Sequence, residues 1–252
     1  MRQNAHSKDS EWLSRCEDFE QSVLRYKSVR FSHFVSPHDY AVFMSYYRLL
    51  PDVNVKAFGG SDDSERVILG FFPDFLELEN TDFPITPLVV SNLGNLTHRD
   101  VLGAVLGLGI KREMVGDIYF DDGVAVIMCE SSVADFIMYN LKSVGRQNVT
   151  VTVCDTDKSF LLRHKFETIK IIVTSLRLDA VLAATCKMSR NDANRHIISE
   201  NVNLNFCVEK NPDKKVMSGD VISVRHHGRF AVSEVTGETK KGRIILEVKK
   251  YI

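Results

Sequence analysis

The segment Val149-Thr150-Val151-Thr152-Val153 alternates apolar and polar residues without a break, the pattern of a strand with one buried face. The elements before it can be read with similar clarity. Leu88-Val89-Val90 is a short β-branched run. Thr97 with Asp100 three residues on has capping-box spacing, and Val101, Leu102, Val105 and Leu106 form a helical stripe that Gly107 and Gly109 end. Ile118–Phe120 and Val124–Cys129 flank the hairpin signal Asp121-Asp122-Gly123. Ser131 or Ser132 is placed to cap a helix with Val133, Phe136, Ile137 and Leu141 turned inward. The order predicted for residues 85–155 is therefore β-α-β-β-α-β, a ferredoxin-like split unit shared by RNA-recognition modules. That topology carries many functions. RNA-recognition modules stack bases on strand aromatics, and Val124–Met128 contains none.

Residues 1–84 read as a smaller α+β unit. Trp12, Phe19, Val23, Leu24 and Tyr26 lie at near-helical spacing. A second helix is predicted over Pro37–Leu50, capped by Ser36, with Pro37 in the first turn and Asp39 at the positive end of its dipole. Val53–Phe58 and Arg66–Phe72 read as two strands around a Gly-Ser-Asp turn. A polar connector, Asp155–Lys165, contains Phe160, Leu161 and Leu162 and leads to a third unit over 168–252. The expected class is thus α+β in three small units.

The charge is divided unevenly between these parts. Residues 168–252 carry 15 Lys and Arg against 9 Asp and Glu, whereas the rest of the chain carries 17 against 24. A basic module on an acidic body points to a polyanionic partner. The basic part opens with a β-branched run, Ile169–Val173, then a short helix with Leu178, Val181, Leu182 and Thr185 inward. Ser189 and Asp192 start the next helix in capping-box spacing, and Ala193 and Ile197 face its core. Asn201 stands where left-handed backbone is wanted after that helix. Val202–Asn205, Val221–Arg225 and the start of a strand at Gly228-Arg229-Phe230 follow.

Arg177-Leu178-Asp179, Ser189-Arg190-x-x-Ala193, Val202-x-Leu204-Asn205, Gly219-Asp220-x-Ile222-Ser223-Val224-Arg225 and Gly228-Arg229-Phe230 together resemble the S-four domain, named after small-subunit ribosomal protein four. The resemblance implies two helices packed on a small strand unit (the αL motif) and RNA binding on the helix face. By motif match it implicates Arg177, Lys187, Ser189, Arg190, Asn194, Arg195, Asn205 and Arg225. The sequence departs from the motif at Asn201 and His226, where the family usually has glycine. Upstream, Leu96-Thr97-His98-Arg99-Asp100, Gly107–Glu113 and Gly116-Asp117-Ile118, with Gly237–Arg243 near the end, resemble the YlmH family of bacterial S-four proteins. That likeness implies a ribosome-associated factor acting on large subunits that carry peptidyl-tRNA, with genes often discussed alongside cell division.

Physical chemistry supports these residue types independently. A helix beginning at Ser189 presents unpaired N–H groups to phosphate, and Arg190 adds a planar fork that fits phosphate oxygens, with Arg177 approaching from the preceding helix. Arg229 and the turn Lys240-Lys241-Gly242-Arg243 extend the candidate RNA-binding set. Asp179 is expected to orient Arg177 or cap its helix, since no second carboxylate accompanies it for acid–base work.

Other signals have plainer explanations. Lys187-Met188-Ser189-Arg190 imitates a synthetase loop without the nucleotide-binding domain that such a loop serves. Gly103, Gly107 and Gly109 lie inside and after a helix, whereas a phosphate loop precedes one. His33 and His38-Asp39 lack a third ligand at metal-binding spacing, and Cys186 lacks a base. Five cysteines, odd in number and scattered, fit a reducing cytoplasm. No apolar run is long enough for a membrane span, and no signal peptide is read at the N-terminus. The expectation is a cytoplasmic, non-catalytic protein, without cofactor or metal, that binds structured rRNA or tRNA. The rivals are an RNA-modifying enzyme of the pseudouridine-synthase or methyltransferase type, and a cell-division interaction protein.

Overall fold

Apolar residues at helical spacing wind into α1 (Ser7–Tyr26), which lies with α2 (Pro37–Tyr46) on one face of a three-stranded antiparallel sheet. That sheet comprises β1 (Arg30–Val35), β2 (Val53–Phe58) and β3 (Val67–Pro73) in the order β1-β3-β2. The computed structural model describes residues 7–121, 123–154 and 166–251, so the predicted turn residue Asp122 and the connector with Phe160, Leu161 and Leu162 lie outside it. The chain forms two units, residues 1–163 and 164–252. Ser36 caps α2 as expected, its hydroxyl oxygen accepting from the Asp39 N–H at 3.1 Å. The helix ends at Tyr46 rather than Leu50, because buried Glu20 takes the following segment. Its carboxylate accepts from the Tyr47 hydroxyl at 2.6 Å and from the Leu50 N–H at 2.9 Å.

The remainder of the first unit follows the predicted β-α-β-β-α-β order. β4 (Ile85–Ser91), α3 (His98–Gly107), β5 (Val115–Asp121), β6 (Val124–Glu130), α4 (Ser131–Asn140), a small hairpin of β7 (Ser143–Val144) and β8 (Gln147–Asn148), and β9 (Thr150–Val153) succeed one another. The four main strands pair antiparallel in the order β5-β6-β4-β9, with β4 at the centre as in a split βαβ unit. The Thr97–Asp100 capping box is formed, the Thr97 N–H donating to the Asp100 carboxylate at 2.8 Å. Two details differ from expectation. Glu130, not a serine, occupies the N-cap of α4, while the Ser131 hydroxyl accepts from Thr86 at 2.8 Å. Phe136 points outward, and Ala134, Ile137 and Leu141 make the inward stripe.

The two faces of this sheet are both covered. Leu88, Val90, Ala125, Ile127 and Cys129 pack under the elements that follow each strand pair, with Val101, Val105 and Ile137 from α3 and α4. Their neighbours in the alternation, Val89, Tyr119, Val126 and Met128, pack against Phe34, Ile68 and Phe72 of the three-stranded sheet. The unit is therefore layered as helix, sheet, sheet, helix around three contiguous cores. Each fully buried side chain in them contributes about 1.5–3 kcal/mol. Polar ties join the two sheets. The Asp117 carboxylate accepts from the N–H groups of Glu65 and Arg66 at 2.6 and 3.1 Å, and the Arg66 guanidinium donates to the Val115 and Phe34 carbonyls at 3.1 and 3.0 Å. Burial, with Arg112 nearby, brings Arg66 down to about 10.

The second unit is a six-stranded antiparallel sheet in the order β10-β15-β14-β13-β11-β12. Its strands are β10 (Phe166–Val173), β11 (Val202–Leu204), β12 (Cys207–Val208), β13 (Val221–Val224), β14 (Gly228–Glu238) and β15 (Ile244–Tyr251). α5 (Leu178–Thr185) and α6 (Arg190–Ile198) cover one face, where Leu178, Val181, Leu182, Ala193 and Ile197 meet Ile171, Val224, Phe230 and Val248. α6 closes in a Schellman arrangement, with the Asn201 N–H donating to the His196 carbonyl at 3.0 Å. The left-handed residue there is Glu200 (φ 60°), one position before the expected Asn201, whereas His226, the other site of a usual glycine, does have positive φ (68°). Among the described residues no helix is long and apolar enough to cross a membrane.

Candidate nucleic-acid interface

Asp179 sits in the first turn of α5, where a carboxylate complements the helix dipole, and only 1% of it is exposed. Two guanidinium forks close on it. Arg177 donates from Nε and Nη2 at 3.2 and 3.1 Å, and Arg190, across the two helices, donates at 2.9 and 3.2 Å. Arg177 also pairs with Asp213, a loop residue that no motif had singled out. Burial pushes the Asp179 carboxyl up, but the hydrogen bonds and charges of Arg177 and Arg190 outweigh it and hold the group below its ordinary value. Asp179 thus positions arginines, as expected, and it holds two of them rather than one.

The structure adds a partner to Arg190 that the sequence did not show. Its fork does not reach freely into solvent, since one edge is committed to Asp179. About half of the side chain (49%) remains exposed, as does 41% of Arg177, so both present guanidinium N–H groups outward from a fixed base. Ser189 caps α6, accepting from the Asp192 N–H at 3.1 Å and donating to its carboxylate at 2.6 Å. The Ser189 hydroxyl, with Arg195 behind it, holds the Asp192 carboxyl below its usual value.

The other candidates fall in distinct places. Lys187 is exposed in the turn between α5 and α6 with positive φ (53°). Arg195 is exposed but paired with Asp192. Asn194 is half-buried, and its Oδ1, like Nδ1 of His196, is buried without a hydrogen-bond partner. Asn205 shapes the chain: it occupies the left-handed turn between β11 and β12, and its amide donates to Asp220 at 2.8 Å and accepts from the Val221 N–H at 2.9 Å. Lys240, Lys241 and Arg243 are exposed at the β14–β15 tip, where Gly242 supplies positive φ. Arg225 and Arg229 lie at the opposite end of β14, because the β13–β14 turn and the β14–β15 turn flank that eleven-residue strand. The structure therefore brings Arg177, Asp179 and Arg190 together and spreads the other cations along the unit.

In the first unit, the sheet face on which an RNA-recognition module stacks bases is closed. Val126 and Met128 of β6 are buried against the three-stranded sheet. Cys16 and Cys129 are buried thiols that burial pushes up to about 12, and Cys186 is raised to about 11. His33 bonds Glu130 at 2.6 Å. Among the described residues no three His, Cys, Asp or Glu side chains converge as a metal site.

Fold and geometry define a mixed α+β chain with two units, one of them presenting an acid-braced arginine pair at the start of its helices. Comparison with known proteins narrows the class. Residues 80–158 match the family model described as "Putative RNA-binding domain in YlmH". The chain is 28% identical over 235 residues to ribosome-associated protein quality control protein P2 of Bacillus subtilis (strain 168), covering 92% of this chain and 91% of that relative. It also resembles the solved structure of cell division protein ylmH from Streptococcus pneumoniae, with a TM-score of 0.54 at 23% identity, covering 63% of this chain and 98% of that one. The last likeness is one of fold.

Proposed function

We propose that this chain is a non-catalytic RNA-binding protein of the YlmH type, whose second unit is an S-four-like domain that grips structured rRNA or tRNA. The observation that carries this reading is the Arg177–Asp179–Arg190 clamp. A buried carboxylate fixes two guanidinium groups at the start of α5 and α6, with 41% of Arg177, which also pairs with Asp213, and 49% of Arg190 exposed, so little side-chain freedom is lost when phosphate binds. The same clamp argues against the enzyme reading, because Asp179 is ionised, buried and occupied on both oxygens. The relative's name supports ribosome association; the large subunit carrying peptidyl-tRNA, which the YlmH resemblance implies, is the proposed site of action, and the cytoplasm the proposed place. The test is co-sedimentation of the full chain with purified ribosomal subunits over a salt series. Binding to large subunits that falls steeply between low and physiological salt is expected, since phosphate contacts release counterions. Absence of the protein from every subunit fraction at low salt would overturn the reading.

A further inference from the structure

The second unit's sheet has a face turned away from α5 and α6, and strand register shows which residues stand on it. Val224, Phe230, Val232 and Val248 point to the helices. Alternation then puts Ser223 and Arg229, which pair across β13 and β14, on the outer face, together with Asn203 of β11, which pairs with Ser223. Phe166 and Tyr251 pair across β10 and β15, and Lys249 stands opposite both Thr168 and Ala231 on the same face.

At one end of this face cations and aromatic rings gather. The Arg229 guanidinium lies 4.3 Å from the centroid of the Tyr251 ring, Phe166 meets Tyr251 at 4.8 Å with planes at 72°, and the Lys249 ammonium is 6.0 Å from the Phe166 ring. Arg229 is also a wall of an open groove of about 470 Å³ that Asn203, Ser223, Arg225, His226 and Glu200 share. The groove thus joins two cations, an amide and a hydroxyl to an aromatic pair. Glu200 is the acidic wall, and it is paired with Lys210 at 2.7 Å. This combination suits neither a plain apolar ligand nor a duplex. Duplex RNA is held through its backbone and 2′-hydroxyls, whereas rings and guanidinium planes beside amide donors fit unstacked bases with their phosphates.

We infer that this outer face, with Tyr251, Phe166, Arg229 and the adjoining groove, is a second RNA surface that takes unpaired nucleotides flanking the structured element. The inference rests on the RNA-binding reading above and adds a separate ligand form on a separate face. The phosphates would run past Arg225 and Lys249, and a base would stack at Tyr251 and Phe166.

The experiment compares, for the full chain, an RNA hairpin with blunt ends and the same hairpin carrying a short single-stranded extension. Wild-type protein should bind the extended RNA about tenfold more tightly, the order expected for a base stacked on an aromatic side chain. Tyr251→Leu and Phe166→Leu should lose most of that advantage while binding the blunt hairpin as wild type does, with melting temperature confirming the fold. A photoreactive uridine in the extension should crosslink to Tyr251 or Phe166. Equal affinity for the two RNAs, or an advantage that survives both substitutions, would overturn the inference and leave the hairpin-binding reading standing. Failure of wild type to bind either RNA would instead overturn that reading, and the inference with it.

Discussion

Arg190 reaches back eleven positions, from the first residue of α6 to Asp179 in the first turn of α5, and meets its carboxylate at 2.9 and 3.2 Å. The contact makes an arginine with a solvent-facing edge also a brace between two helices. Under the proposed RNA-binding role, binding and folding are coupled at this side chain.

Arg190→Ala should accordingly have two effects. RNA affinity should fall by about 1–3 kcal/mol, the range for a good arginine contact to nucleic acid. Stability should also fall by about 1–3 kcal/mol, because a buried carboxylate loses one of its two partners. Denaturant unfolding measures the second effect, and RNA titration under conditions where the variant is folded measures the first. An unchanged unfolding midpoint would mean that the pair carries no structural weight.

The clamp also sets a dependence on pH. The Asp179 carboxyl is held below the value of about 3.9 for an unfolded aspartate, so between the two values the unfolded chain binds more protons. Its stabilisation is present above that unfolded value and drains away as pH falls through the lower folded one. In Asp179→Asn the contribution is gone at every pH. Melting temperatures of the two proteins, far apart near neutrality, should therefore converge as pH drops below about 4. A gap that stays constant would exclude an electrostatic origin.

Gly116 is expected to tolerate no side chain. A Cβ there would stand 2.6 Å from the Phe34 ring and 3.0 Å from Met128 Cβ, in the core between the two sheets. Gly116→Ala should cost about 1–3 kcal/mol by overpacking. Phe34→Leu in the same protein should recover part of that loss, as neighbouring sites are not additive. Simple addition of the two single losses would argue against the clash.

At Glu200 a substitution should help. This residue carries φ 60° at the end of α6, a conformation that costs a non-glycine residue about 1–2 kcal/mol. Its exposed pair with Lys210 returns at most about 1 kcal/mol. Glu200→Gly should raise stability by roughly 0.5–1 kcal/mol, while Glu200→Ala, which loses the pair and keeps the strain, should lower it. The opposite ranking in chemical denaturation would sink this account.

Local signals were legible where one face of an element decides its fate. Ser36, Thr97 and Ser189 marked helix starts that the structure forms, and the β-α-β-β-α-β succession of residues 85–155 was legible from alternation, caps and turns. Long-range partners left no such mark. That Glu20 ends α2, or that Asp213 completes the arginine clamp, depends on side chains meeting from distant positions, and neither spacing nor composition encodes that meeting. Asn205 shows a role that its motif position did not announce. A motif position that suggested RNA contact is occupied with holding its own turn to Asp220 and Val221. Phe136 was expected inward on periodicity, but the stripe is satisfied by Ala134, Ile137 and Leu141 one step around the helix.

The double cover of the β4–β6 sheet has a consequence for anyone trimming this chain. The matched family segment starts at residue 80, after the three-stranded sheet has ended. Produced by itself, such a fragment would bring Val89, Tyr119, Val126 and Met128 to water as one sticky plane. Fragments would be expected to self-associate through it, and any affinity for nucleic acid measured on them would report a surface that the whole protein keeps hidden.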